Sequence, residues 1–157
     1  MVYDYGSDLV YQDNRVYYNG EPVATAEEYA TQAQNLAVAG QTATPPAQEE
    51  WKALGVFAMV QGEEKDANHI FQIAINKDGV IRGNYYSTLT DTSVPIYGSV
   101  DRKTQRAAWI VGDNKGTVYE TGVGNLAQPE TTMLVHFGTD RTQQWTLVRM
   151  EQPQDKK

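Results

Sequence analysis

The sequence predicts a mainly β protein: an eight-stranded antiparallel up-and-down barrel that follows a short N-terminal β-hairpin and one helix. Between residues 51 and 150, about eight short runs of strand-forming residues are separated by turn signals. No helical periodicity occurs in this half of the chain, and its connections are too short for the crossovers that parallel strands need. Because an open sheet of eight sequential strands has two exposed edges, a closed barrel is favoured over the alternative, a curved sheet covered by the helix.

The first region, residues 1–40, is rich in tyrosine and alanine and contains short strand-forming pairs. A unit of strand formers followed by turn formers nearly repeats at Val10–Asn14 and Val16–Gly20. The Asn19-Gly20 pair is the strongest short hairpin signal known. These patterns predict a small meander with the strands Leu9–Gln12, Arg15–Tyr18 and Glu21–Ala24.

A helix is predicted directly after this meander. Thr25 is a suitable N-cap, and Glu28 follows three residues later, which is the spacing of a capping box. Good helix formers fill Ala26–Ala39, and Gly40 is placed to end the helix as its C′ residue. One face of this helix carries a narrow, alanine-rich stripe made of Tyr29, Ala33, Leu36 and Ala37.

Residues 41–50, which contain Pro45 and Pro46, are predicted to be a linker. The barrel is assigned to residues 51–150, and a polar tail to residues 151–157. A chain of 157 residues is long enough to form one such domain without metal ions or disulfides.

Turn chemistry and alternation define the barrel strands. Asn76–Gly79 and Asp113–Gly116 both suit a type I turn with a glycine bulge, and Gly83 and Gly98 permit the coiling of a small barrel. The predicted strands are Ala53–Gln61, His69–Asn76, Val80–Ser87, Val94–Asp101, Arg106–Gly112, Thr117–Thr121, Thr131–Phe137 and Gln143–Met150. Alternation places on one face the residues Phe71, Ile73, Ile75, Val94, Ile96, Gly98, Val100, Ala107, Trp109, Val111, Met133, Val135, Phe137, Trp145 and Leu147.

The opposite face of the strands is not uniformly polar. It includes Tyr97, Ile110, Leu134, Val148 and Met150. Either the helix, the linker or a neighbouring strand covers these side chains, or they form an exposed apolar patch for a partner or a second copy.

Composition excludes several classes of protein. The chain has 13 Lys and Arg against 20 Asp and Glu, a net charge of -7, and no cysteine. The negative charge opposes binding to nucleic acid, which relies on clustered cations. The lack of cysteine excludes disulfide scaffolds, thiolate metal sites and cysteine nucleophiles. No membrane span and no signal peptide are visible in the sequence.

Catalytic and cofactor motifs are weak. His69 and His136 are the two histidines, and they lie on different predicted strands without metal-ligand spacing. The segment Gly122–Ala127 matches a dinucleotide fingerprint, but Pro129 and a further strand follow it where a helix is needed. We therefore expect no catalytic residue, no metal and no cofactor. A hydrolase that uses His136 with a nearby carboxylate is the remote alternative.

Aromatic residues are the strongest binding candidates. Tyr85, Trp109 and Trp145 lie on the predicted strands, where they either fill the core or line a pocket for a flat apolar ligand. A protein-interaction face is the competing hypothesis, because tyrosine provides much contact area at low entropic cost. Its candidate residues are Tyr11, Tyr17, Tyr18, Ile110, Leu134 and Val148.

Two family resemblances add to this interpretation. The chain resembles an uncharacterised family of planctomycete proteins, some loosely labelled mu-protocadherin, in Val16–Glu28, Trp51–Val60, Ile81–Tyr86, Pro95–Gly112, Asp113–Leu126 and Leu134–Arg149. The resemblance implies no reaction or cofactor, but it implies that the chain comes from an exported protein. More weakly, Trp51 and Arg149 resemble the tryptophan–arginine closure of calycins such as lipocalins, although the Gly-x-Trp motif of that family is missing. Arg149 is for this reason a fourth candidate ligand-binding residue.

The sequence thus favours a non-catalytic binding or interaction module of an exported protein, and not an enzyme. Its partner is a protein or a second copy of the chain. The alternative is a carrier that holds a small apolar or aromatic ligand in the barrel mouth.

Overall fold

The protein is described by a computed structural model over residues 9–13, 15–43, 51–60, 69–101, 103–138 and 141–150. The first eight residues, most of the predicted linker (44–50) and the polar tail (151–157) lie outside the described residues. In chain order the elements are β1 (Leu9–Gln12), β2 (Arg15–Tyr18), β3 (Glu21–Thr25), α1 (Ala26–Thr42), β4 (Lys52–Val60), β5 (His69–Ile75), β6 (Val80–Ser87), β7 (Thr92–Asp101), β8 (Arg106–Val111), β9 (Asn114–Gly122), β10 (Glu130–Phe137) and β11 (Arg141–Met150), with a 3₁₀ turn at Gly124–Ala127.

Strands β4 to β11 form a closed antiparallel barrel in which each strand pairs with its neighbours in sequence. The last strand, β11, pairs with the first, β4, and places Leu147 opposite Met59. Closure satisfies the hydrogen-bonding groups of both edge strands, which an open sheet would leave unpaired. The predicted fold class, an eight-stranded antiparallel barrel with an N-terminal hairpin and helix, is confirmed.

Turn residues set the register of the strands. The Asn76 side chain accepts hydrogen bonds from the backbone N–H groups of Asp78 and Val80, both at 2.9 Å, as the predicted turn at this place requires. The predicted turn Asp113–Gly116 is wrong by two residues, because β9 already begins at Asn114, opposite Val111. Gly112 makes the earlier turn possible, since it adopts a φ of 59° that most residues avoid.

The barrel interior is a filled apolar core that includes many of the side chains predicted to face inward, and also Phe57, Met59, Ile81 and Leu126, which were not in the predicted set. Trp109, Phe71 and Phe57 are its largest fully buried aromatic residues. Around them pack Met59, Ile73, Ile81, Ile96, Ala107, Leu126, Met133, Val135 and Leu147.

An N-terminal unit, residues 9–43, lies against the outside of the barrel. Its three strands form a separate antiparallel sheet in the order β1-β2-β3. The predicted capping box is present at the start of α1, where Glu28 N–H donates to Thr25 Oγ1 at 3.1 Å and Thr25 N–H donates to Glu28 Oε1 at 3.0 Å. Among the described residues, no helix has the length and apolar character needed to cross a bilayer.

Small residues let α1 approach the barrel closely. The helix does not end at Gly40, as predicted, but continues to Thr42. Gly40 instead packs on the backbone of Gly98, so that a Cβ at position 40 would collide with it. Barrel side chains complete the contact: the Arg82 guanidinium donates to the carbonyls of Gly40 and Ala43 at 2.9 and 3.0 Å. These two bonds satisfy carbonyls at the C-terminal end of the helix.

The N-terminal unit covers part of the apolar outer face of the barrel. The sequence allowed either such a cover or an exposed apolar patch at this face. Ile110 is 0% exposed beneath Ala33 and Ala37 of α1. Leu134 is 2% exposed and packs with Tyr29 and Val16. Cover by the N-terminal elements is therefore the correct explanation for these two positions.

Candidate functional site

Three rings meet at one end of the barrel interior, which we call the His69 end. His69 begins β5, Tyr85 lies near the end of β6, and Trp145 lies in the first half of β11. The His69 and Tyr85 rings are stacked with centroids 5.8 Å apart, and His69 Nδ1 lies 2.6 Å from Tyr85 Oη. The Trp145 ring centroid is 6.4 Å from that of His69. All three side chains are half-buried, so this end of the core is partly accessible to solvent.

Polar groups accompany these rings. The Ser87 side chain lies two residues after Tyr85, on the same face of β6, and Trp145 Nε1–H donates to Gln143 Oε1 at 2.8 Å. Burial raises the pKa of Tyr85. Burial, together with the nearby Tyr85, raises the pKa of Tyr119 to about 12. Both phenols therefore stay protonated at neutral pH and act as hydrogen-bonding groups. We call His69, Tyr85, Ser87, Tyr119 and Trp145 the mouth cluster.

A continuous series of rings leads from the mouth cluster into the core. Phe71 lies 5.4 Å from Tyr85, 5.0 Å from Tyr119 and 5.5 Å from Trp109, measured between ring centroids. Trp109 is 0% exposed, so it fills the core beneath the mouth and does not line an open surface. Its indole N–H has no hydrogen-bond partner in the described structure. A buried donor in this state costs about 1–3 kcal/mol.

At the opposite end of the barrel, Leu126 and Arg149 cover the core, and an open pocket of about 640 Å³ lies at this cover, lined in part by Leu54, Gly55 and Arg149. Leu126, from the 3₁₀ turn, is buried in the core. The Arg149 guanidinium donates to the Leu54 carbonyl at 2.7 Å and to the Leu126 carbonyl, and it lies 5.1 Å from the centre of the Phe57 ring. Arg149 is therefore far along β11 from Trp145 and does not join the candidate ligand site with Tyr85, contrary to the prediction. The ring beneath this arginine is Phe57, whereas the calycin resemblance assigned that place to Trp51.

A buried ionic network lies on the outer wall, beneath the N-terminal unit. Arg106 makes two hydrogen bonds to the Glu120 carboxylate, Nε to Oε2 at 2.8 Å and Nη2 to Oε1 at 3.0 Å. His136 Nε2 lies 2.5 Å from Glu120 Oε1, and its Nδ1 lies 2.8 Å from Thr142 Oγ1. All four residues are buried. We call them the Glu120 network.

The electrostatics of this network are dominated by Arg106. Burial alone would raise the pKa of Glu120, but the Arg106 charge and the hydrogen bond from His136 lower it to about 2. Glu120 is therefore an anion at neutral pH, and both of its oxygens are engaged. The order hydroxyl, imidazole, carboxylate resembles a hydrolytic triad, yet Thr142 is only 9% exposed. We interpret the network as a structural clamp.

Sequence reasoning missed Glu120. The signal was present, since Glu120 and His136 alternate with apolar neighbours on two strands and point to the face that was otherwise apolar. What could not be read from the pattern was that this face is covered. Among the described residues, no group of three or more His, Asp or Glu side chains is arranged to hold a metal ion.

The predicted interaction residues do not form one exposed face. Tyr11 and Tyr18 pack against the cluster that holds Leu134, and Ile110 lies beneath α1. Tyr17 points to the other face of the N-terminal sheet, where it is the cross-strand neighbour of Val10. Of the remaining candidates, Val148 is half-buried on β11.

No protein-family model, curated protein or solved structure matches this chain. The resemblances to planctomycete proteins and to calycins therefore stay predictions. The eight-stranded barrel agrees with the calycin resemblance only in its strand number and topology.

Proposed function

We propose that the protein is a non-catalytic binding protein that holds a small aromatic molecule at the His69 end of its barrel. The proposal is carried by one observation: the mouth cluster combines half-buried ring faces with hydrogen-bonding groups directly above a filled core. At the other end, Leu126 and Arg149 cover the core, and no aromatic side chain is among the described residues that line the pocket there; the ring faces at the His69 end favour that end for an aromatic ligand. Small-molecule sites of this kind are mostly apolar, with a few placed polar groups.

The ring geometry favours a flat molecule. The half-buried Trp145 and the stacked His69 and Tyr85 rings present aromatic surface near the mouth. A ligand ring that packs against one of them gains about 0.5–1.5 kcal/mol beyond the burial of its apolar area. Binding requires a small shift of side chains, because Trp109 and Phe71 fill the space below.

A fluorescence titration tests this function with a matched pair of tryptophan variants. The probe is 1-anilinonaphthalene-8-sulfonate, an anionic aromatic dye whose fluorescence rises when its rings leave water. We expect saturable binding that Trp145→Leu weakens roughly five- to tenfold, because a ring contact is lost. Trp51→Leu is the control, since Trp51 is 38% exposed and precedes the first barrel strand. Absence of saturable binding, or equal loss in both variants, contradicts the proposal.

A second candidate function is self-association through the N-terminal unit. Val10 and Val23 are 40% and 41% exposed, and Tyr17 lies opposite Val10 on the same sheet. Sedimentation of the full chain over a concentration range tests this candidate. A dimer that Tyr17→Ser dissociates, while Tyr86→Ser does not, supports it; a monomer at all concentrations rejects it.

A further inference from the structure

We propose that the molecule held by the mouth cluster carries a hydrogen-bond acceptor, such as a carbonyl oxygen conjugated to its ring, which His69 recognises through Nε2–H. This inference rests on the proposed function and adds the chemical class of the ligand. The inference follows from the direction of the His69–Tyr85 hydrogen bond and from the N–H donor that this bond leaves without a partner among the described residues.

The direction of the His69–Tyr85 hydrogen bond follows from the chemistry of its two groups. A phenol is a stronger donor than a neutral imidazole N–H, and an imidazole nitrogen is a stronger acceptor than a phenol oxygen. At 2.6 Å the favoured arrangement therefore has Tyr85 O–H donating to His69 Nδ1.

This direction determines which nitrogen of His69 faces a ligand as a donor. With Nδ1 accepting, the neutral ring carries its proton on Nε2. In the described part of the chain, His69 Nε2 has no hydrogen-bond partner, and the side chain is half-buried. The tautomer is thus set by Tyr85, and the free N–H is left at the mouth.

Another donor lies deeper in the barrel. Trp109 Nε1–H is fully buried and has no partner among the described residues. Trp109 is 0% exposed within the filled core, so the donor within reach of a ligand at the mouth is His69 Nε2–H. Together with the flat faces of Tyr85 and Trp145, this donor indicates a planar aromatic compound with an oxygen acceptor.

Two probes of the same shape isolate the acceptor. 2-Acetylnaphthalene carries a ring-conjugated carbonyl, whereas 2-isopropenylnaphthalene has the same ring and the same side-chain skeleton, with a CH₂ group in place of the oxygen acceptor. We titrate both into the full ¹⁵N-labelled chain and follow the three tryptophan indole N–H signals. The ketone should bind roughly three- to tenfold more tightly than the hydrocarbon, the effect of one added hydrogen bond. The Trp145 signal should shift with either probe.

A variant assigns the preference to His69. His69→Phe keeps an aromatic ring but removes the donor, so both probes should bind with the affinity of the hydrocarbon. Tyr86→Phe is the control, because Tyr86 follows Tyr85 on the same strand, faces outward and bonds to Asp91. A ketone preference that is absent in the natural protein, or that survives in His69→Phe, overturns the inference.

A measurement without any variant tests the tautomer. The ¹⁵N shifts of the His69 ring should show a protonated Nε2 and an unprotonated Nδ1 at pH 8; a protonated Nδ1 overturns the inference.

The outcomes of the probe titration also separate this inference from the proposed function. If both probes bind equally at the mouth, the binding site stands and the acceptor requirement fails. If neither probe shifts the Trp145 signal, the proposed function and the inference fail together.

Discussion

The Arg106 guanidinium lies 3.6 Å from the centre of the Tyr29 ring, so a cation of the barrel wall packs directly on the first turns of the N-terminal helix. The same guanidinium donates to the Tyr29 carbonyl at 3.2 Å and to Gln32 Oε1 at 2.7 Å. Arg106 therefore joins the Glu120 carboxylate on β9 to Tyr29 of α1, which is 77 residues from Arg106 in sequence. The barrel and the N-terminal unit share one buried charge network, and their stabilities should be coupled through it.

Loss of Arg106 should destabilise the whole protein. In Arg106→Leu the Glu120 carboxylate stays buried without its cation, which costs about 3–5 kcal/mol. Urea unfolding followed by circular dichroism measures this change. The double variant Arg106→Leu, Glu120→Leu removes both charges and should recover a large part of the loss. A single variant as stable as the natural protein would show that the pair contributes little.

Acid should weaken the protein through Glu120. The pKa of Glu120 is lowered in the folded state from its ordinary value of 4.5 to about 2. A depressed carboxyl pKa gives stability that is fully present above pH 4.5 and is lost as the pH falls towards 2. The loss is on the order of 3 kcal/mol. Denaturant midpoints measured from pH 6 to pH 2.5 should fall, and the fall should be smaller in Glu120→Gln, where this carboxyl cannot titrate.

Gly40→Ala should destabilise the protein although alanine is the better helix former. In an exposed helix, replacing glycine by alanine stabilises the helix by about 1 kcal/mol. At position 40, however, the alanine Cβ would meet the Gly98 backbone. Forcing such a contact costs about 1–3 kcal/mol of folding stability or more. Asn35→Ala is the control, because Asn35 is exposed on α1 and the change should be neutral or stabilising. Thermal unfolding compares the two. A raised melting temperature in Gly40→Ala is incompatible with the close helix–barrel contact.

The Glu120 network should act as a clamp and not as a hydrolytic centre. His136→Ala removes the side chain between Glu120 and Thr142 and should lower the free energy of unfolding by about 1–3 kcal/mol, since both partners lose a buried hydrogen bond. Hydrolysis of p-nitrophenyl acetate should be the same for this variant and for His69→Ala. Saturable turnover that only His136→Ala abolishes would instead favour the hydrolase hypothesis.

Local chemistry was enough to predict most of the elements. The capping box at Thr25 and Glu28 is confirmed, and so is the turn at Asn76, because each depends on residues no more than four positions apart. The wrong end of the helix shows the limit of this reasoning. Gly40 is a common helix terminator, but its partner Gly98 is remote in sequence, and a close approach between them leaves no local signal.

The sequence by itself determined the number of strands, the antiparallel order and much of the inward set of side chains, because alternation and turn chemistry act between near neighbours. Only the tertiary structure decided where the aromatic candidates lie. It put Trp109 in the core, Tyr85 and Trp145 at the mouth, and Arg149 at the opposite end. It also placed Glu120 against His136 and Arg106. Strand tilt in the closed barrel and the docking of α1 set these contacts, and both arise from packing between distant parts of the chain.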